Sequence, residues 1–160
     1  MRKILSKLVV GYFMLCGVYG LSADNWSLQS AEEAYTSGDF QTAVAHWRGL
    51  AELGDVVAMN NLGYAYEKGL AVAQSDSDAL GWYIEAANKG FATAMFNVGE
   101  AIYEERGVTD DKTEALKWLI LAGSRGDSDA RDLAAKIAED LNADEVKSAI
   151  RRANNWRPPQ

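Results

Sequence analysis

Residues 58–69 read AMNNLGYAYEKG, and residues 94–107 read AMFNVGEAIYEERG. The second phrase repeats the first after 36 residues, and the match continues without a gap. Leu62 falls on Val98, Gly63 on Gly99 and Tyr66 on Ile102. Val72 then falls on Val108, Ala79 on Ala115, Leu80 on Leu116, Trp82 on Trp118 and Gly90 on Gly126. A fixed period of this length signals a stacked repeat, in which each unit buries its apolar side against the next.

Each unit reads as two helices. Ala58, Leu62 and Tyr66 recur at four-residue steps, as one face of a helix requires; Ala79, Tyr83, Ala86 and Gly90 form a second such series. The link between them, GLAVAQSDSD, offers glycine to stop one helix and Ser/Asp to cap the next. Gly63 and Gly99 lie inside helices, where glycine costs about 1 kcal/mol relative to alanine. They mark places where another helix backbone comes close, and Trp82 and Trp118 are expected to fill the groove between neighbouring units.

Residues 30–55 (SAEEAYTSGDFQTAVAHWRGLAELGD) show the same order with a shorter link, where Asp39 alone separates Gly38 from Phe40. After Gly126 another first-type helix begins. Asn142 followed by Glu145 then forms a variant capping box for a last helix with Ala143, Val146, Ile150 and Ala153 on one side. The resulting division is a divergent repeat at about 26–54, repeats at about 55–90 and 91–126, and a half repeat plus capping helix at about 127–155. Residues 156–160 read as a tail.

Residues 1–23 differ in kind. MRKILSK is basic and free of acid, LVVGYFMLCGVYGL is apolar, and Ser22-Ala23 supplies small residues. That order is a secretory signal peptide, and its apolar run is short of the roughly 20 residues of a bilayer span. Cleavage after Ala23 is the expectation, with no stable membrane anchor afterwards; an uncleaved N-terminal anchor is the alternative. Leu15 before Cys16 argues against lipid attachment at that cysteine, the only one in the chain. Without residues 1–23 there is no thiol for a disulfide. Arg2, Lys3 and Lys7 contribute +3 to the formal net charge of −7, which leaves −10 for residues 24–160. So acidic a surface repels nucleic-acid phosphates and suits a basic protein segment.

The phrases around Ala58, Leu62, Gly63, Tyr66, Gly69 and Val72, and around Ala79, Trp82, Tyr83, Ala86, Ala87 and Gly90, resemble the Sel1-like repeat family, relatives of the tetratricopeptide repeat. Ala71 departs from that pattern at its second link glycine. Glu105 departs at the first glycine of the next link, Ile102 at the tyrosine, and Leu119 at the aromatic after tryptophan. The resemblance implies an all-α fold, a short right-handed solenoid of helix pairs. It also implies an adaptor or scaffold role, with exported bacterial members tied to the cell envelope or to host contact. A periplasmic or secreted location follows.

Signals for chemistry are sparse. One histidine, His46, cannot form a zinc site without further His or Cys ligands. It lies in register with Trp82 and Trp118 and reads as a helix-packing residue at an inter-repeat contact. No nucleophile elbow and no phosphate-cradling glycine loop occurs. Adjacent carboxylates such as Glu32-Glu33, Glu104-Glu105 and Asp110-Asp111 point in different directions on a helix, and the Asp/Ser links fit helix capping better than calcium. The expectation is a non-enzymatic protein without metal or cofactor.

A binding surface is expected on the concave side, lined by the first helix of each pair. Its candidates are Asn60, Asn61, Tyr64 and Glu67 in one repeat, and Phe96, Asn97, Glu100 and Tyr103 in the next. Asn61 and Asn97 are equivalent; each side chain contacts a peptide backbone, as the tetratricopeptide resemblance implies, bonds a neighbouring helix, or is simply exposed. The aromatic residues suit interface anchors. Two rivals remain: an envelope enzyme acting on a cell-wall-related substrate, and a spacer subunit of an envelope complex.

Overall fold

The computed structural model describes residues 26–107 and 111–159. The signal-like segment with Cys16, as well as Val108, Asp110 and Gln160, lie outside the described residues. Among the described residues there are eight helices and no strand: α1 Leu28–Ser37, α2 Phe40–Glu52, α3 Val56–Lys68, α4 Asp76–Asn88, α5 Ala92–Tyr103, α6 Lys112–Gly123, α7 Ser128–Asp140 and α8 Ala143–Asn155. Successive helices pack on one another from α1 to α7, and α8 returns to pack on α6. None of these helices is long and apolar enough to cross a membrane.

Local chemistry sets the helix starts. The side chains of Ser27, Asp39, Asp55, Ser75, Asp111 and Asp127 each accept a hydrogen bond from a backbone N–H in the first turn that follows. Such a cap satisfies a donor that the helix itself cannot. The Ser/Asp-rich links therefore serve as helix caps, as their composition implies. Asn142 and Glu145 complete a reciprocal capping box at α8. Asp39 both ends the tight turn after α1 and caps α2.

The core is made largely of alanine, with Leu62, Met95, Val98, Leu119 and Ile137 as its largest fully buried side chains. Small residues let helix axes approach, and Gly63 and Gly99 carry this furthest. A Cβ on Gly63 would lie 2.5 Å from the Tyr83 ring and 3.1 Å from the Ala79 carbonyl oxygen. A Cβ on Gly99 would lie 2.7 Å from Leu119 Cγ and 3.1 Å from the Ala115 carbonyl oxygen. The close approach is therefore real, but it differs from the sequence expectation in two ways. It joins the two helices of one repeat, α3 to α4 and α5 to α6, rather than neighbouring repeats. The plug is the residue after each tryptophan, because that position faces the first helix directly. Trp82 and Trp118 lie to the side: Trp118 is buried, and Trp82 only half so.

The links explain two departures from the repeat pattern. Gly69 and Ala71 both take left-handed backbone, at φ 66° and 53°. In the next repeat Glu105 and Gly107 do so at 56° and 75°. Each link thus has two left-handed positions, and each repeat places glycine at a different one of them. Gly107 has a further reason: its Cβ would meet the Asp76 carbonyl carbon at 2.7 Å, so the link is pressed onto the start of α4.

At the C-terminal end, α8 buries Ala149 and Ala153 while Ile150 is 43% exposed. This shifts the buried stripe from the expected Ala143, Val146, Ile150 and Ala153. The cause is Trp156, expected to begin the tail, whose ring meets Trp118 edge-on at 6.2 Å with Arg125 5.2 Å from its centroid. Seating that indole rotates α8 so that Val146, Ala149 and Ala153 line up with it.

Urea unfolding followed by circular dichroism should show Gly63→Ala destabilised by about 1–3 kcal/mol through overpacking. Gly81→Ala on α4, whose Cβ would have nothing within 4 Å, should gain about 0.5–1 kcal/mol from helix propensity. Glu105→Gly relieves left-handed strain of about 1–2 kcal/mol, partly offset by greater freedom in the unfolded chain, and should be stabilising by a few tenths to about 1 kcal/mol.

Candidate functional site

The expected binding residues sit on α3 and α5, which are joined across the repeat boundary by Asn60 with Asn97 and by Arg106 with Glu67 and Glu100. The Asn97 side-chain amide donates to Asn60 Oδ1 at 2.9 Å, joining α5 to α3 across the repeat boundary. Of the three readings left open for Asn97, structural bonding is thereby satisfied at one of its groups; the partner is Asn60 rather than the equivalent Asn61. Asn61 and Phe96 are half-buried.

The aromatic residues differ in availability. Tyr64 is 37% exposed and continues an aromatic run: its ring lies 6.4 Å from Tyr35, which lies 5.7 Å from both Phe40 and Trp47. The Lys68 ammonium sits 5.8 Å from the Tyr64 centroid. Tyr103 is half-buried, with the Lys136 ammonium of α7 5.5 Å from its ring. Tyr35, Phe40 and Lys136 were absent from the sequence expectation because they come from other repeats.

Glu67 and Glu100 are not free charges. Arg106, in the link after α5, reaches Glu67 at 3.2 Å through Nη1 and Glu100 at 2.8 Å through Nη2. Its Nε is 2.9 Å from Glu104 Oε2, but the N–H is not aimed at that oxygen, and this buried nitrogen lacks a hydrogen-bond partner. The Tyr83 hydroxyl, at the tip of the ring that fills the Gly63 notch, donates to Glu67 Oε2 at 2.9 Å. Glu67 thus links α3, α4 and the following repeat.

Electrostatics follow from this geometry. Burial works to raise the Glu67 carboxyl, but hydrogen bonds from Lys68 and Tyr83 and the Arg106 charge outweigh it and hold the group below its ordinary value. Burial raises the Glu100 carboxyl; Arg106 counters it, while Glu104 and Glu67 push the same way as burial. Burial and the Glu67 carboxylate push the Tyr83 hydroxyl far up, so it stays a donor. Burial would lower Arg106, but the three carboxylates more than compensate. Arg106 was missed in the sequence because EERG reads as a solvated charge run.

His46 is buried and its Nδ1 accepts from the Ser27 backbone N–H at 3.2 Å, while the Trp26 ring meets it edge-on at 5.5 Å. The Trp26 indole lies over Gly49 of α2, in space that a Cβ there would occupy. His46 thus fastens the segment before α1 onto α2, a packing role at the N-terminal edge rather than at the inter-repeat contact expected from its register. Among the described residues no group of three His, Cys, Asp or Glu side chains could hold a metal ion.

The Sel1 repeat family matches residues 56–91 and 92–127. Each of these two segments is similar to the Sel1 repeat, and together they span 72 of the 160 residues. No curated protein matches the sequence. Among solved structures, a Sel1 repeat protein from Oxalobacter formigenes is 29% identical with a TM-score of 0.68, over 79% of this chain and 54% of that one. A protective antigen of uropathogenic Escherichia coli with an SLR fold is 21% identical with a TM-score of 0.76, over 92% of this chain and 32% of that one. This chain therefore spans about half and a third of their lengths. The all-helical superhelix of Sel1 repeats is this chain's fold, and the Sel1 fold commonly mediates protein–protein interaction.

Replacing Arg106 by Gln should lower stability at pH 7 by about 1–3 kcal/mol, the scale of hydrogen bonds to charged groups. A carboxyl held low, as Glu67 is, contributes stability above its unfolded value and loses it as pH falls through its folded value. The gap between wild type and Arg106→Gln, measured by urea unfolding, is therefore expected to be full at neutral pH and to shrink with acidification through the carboxylate range.

Proposed function

We propose that this chain is an exported protein-interaction scaffold that holds a protein or peptide segment against the first-helix face, with no reaction of its own. The observation that carries the reading is the surface itself. Tyr64 stands exposed beside an aromatic cluster, next to a cross-repeat Asn60–Asn97 pair and a rigid Glu67–Arg106–Glu100 network. An aromatic anchor surrounded by fixed polar groups is the composition of an interface hot spot. Preorganised side chains reduce the entropy lost on binding. Asn61, with its half-buried amide, and Phe96 and Tyr103 complete the proposed contact set.

The Arg106 network refines what the partner should look like. Part of the acidity of this face is neutralised internally, so aromatic and amide contacts carry recognition here, and surplus acidity steers a basic segment toward it. Export rests on the basic start, apolar run and Ala23 site of the sequence; a periplasmic or secreted location belongs to this proposal.

A photo-crosslinking residue at Tyr64 should capture the native envelope partner, while one at Glu52 on α2 should not. Tyr64→Ala combined with Tyr103→Ala should lower capture at least fivefold at unchanged helicity. Equal capture from both positions, or capture indifferent to the double substitution, overturns the groove reading. Mass spectrometry of the protein recovered from its native cells should find Asp24 as the N-terminus.

A further inference from the structure

The two Sel1 repeats treat their tryptophans differently. In the second of them, the Lys117 ammonium sits 3.9 Å from the centroid of the Trp118 ring and pairs with Glu114. Lys117 is buried for a lysine, only 9% exposed. This is a complete cation site, with an aromatic face below and a carboxylate beside the ammonium.

The preceding repeat has the same site without its cation. Thirty-six residues earlier, Trp82 stands for Trp118 and Asp78 for Glu114, but Gly81 stands for Lys117. Space opens where the lysine stem would lie. A cleft of about 280 Å³ is lined by Ser77, Asp78, Gly81, Trp82 and Glu85, and a Cβ on Gly81 would find nothing within 4 Å. Glu85 adds a second carboxylate where the buried repeat has Leu121. Asp78 and Glu85 are both exposed, and no ion pair forms at either one among the described residues.

We infer that the cleft beside Trp82 binds a lysine side chain presented by another polypeptide, which takes the place that Lys117 occupies in the next repeat. The four-carbon stem covers indole surface while the ammonium stays at the carboxylates. The wider field favours such a visitor: residues 26–107 hold twelve acids against four bases, whereas residues 111–159 hold nine of each. The site lies on α4, a second helix, so it is separate from the proposed first-helix surface and stands or falls independently of it.

The test uses an acetyl-tetralysine-amide peptide titrated into the protein, read by the Trp82 indole N–H signal in NMR, assigned with Trp82→Phe. The peptide should shift that signal, and its fully Nε-acetylated form should not. Asp78→Asn with Glu85→Gln should weaken binding at least about threefold, the scale of an exposed cation–π contact with its carboxylates. Glu32→Gln with Glu33→Gln, the same charge loss on α1, should leave binding within twofold. Gly81→Lys should abolish the peptide shift and raise the melting temperature, because it supplies the cation from within. Tyr64→Ala should leave the titration unchanged. Binding retained by Gly81→Lys, or weakened equally by the two charge removals, overturns the inference. So does n-butylamine matching the peptide's affinity, which would assign the cleft to small amines.

Discussion

The close seating of Tyr83 on Gly63 organises more of this molecule than any other contact. With no side chain at position 63, α3 and α4 approach until the ring and the Ala79 carbonyl touch the glycine. The ring then extends along α3 and its hydroxyl meets Glu67, one turn further on. Glu67 in turn holds Arg106 from the next repeat. A packing requirement inside one helix pair is thereby converted into a polar link between pairs. The Gly99–Leu119 notch repeats the packing without the hydroxyl; α6 is instead joined to α8 by the Glu114–Arg152 pair, with Trp156 after α8 on Trp118.

This distribution bears on recognition. In solenoids, binding surfaces are built from positions that packing leaves over. Here several of those positions have internal partners, with Asn60 on Asn97, Lys136 over Tyr103 and Arg106 among three glutamates. Such pairing fixes the side chains before a ligand arrives, which favours a defined shape over a diffuse acidic patch. Tyr64 on α3 is partly exposed, and Asp78 and Glu85 on α4 are exposed without an ion pair among the described residues.

The ends of the stack are closed by aromatic residues that no repeat pattern contains. Trp26 lies on Gly49 beside His46 at one end, and Trp156 lies on Trp118 at the other. Terminal units of a repeat protein lack a neighbour to bury their apolar face, and these two indoles supply that cover within a single chain.

The 36-residue period, the helix pairs, the Ser/Asp caps and the near approach at Gly63 and Gly99 were legible in the sequence, because each depends on residues close together in the chain or on exact repetition. The first-helix residues, too, could be read from helical spacing. What the sequence left open depended on where distant segments meet. Tyr83 rather than Trp82 fills the notch because of the rotation of α4 against α3. Arg106 joins Glu67 because the link after α5 folds back across a repeat boundary. Trp156 turns α8 so that Ala149 is buried and Ile150 exposed. Period and composition determined the class of fold; the angles between packed helices, set by side chains that touch only after folding, decided which charges are satisfied within the chain and which are not.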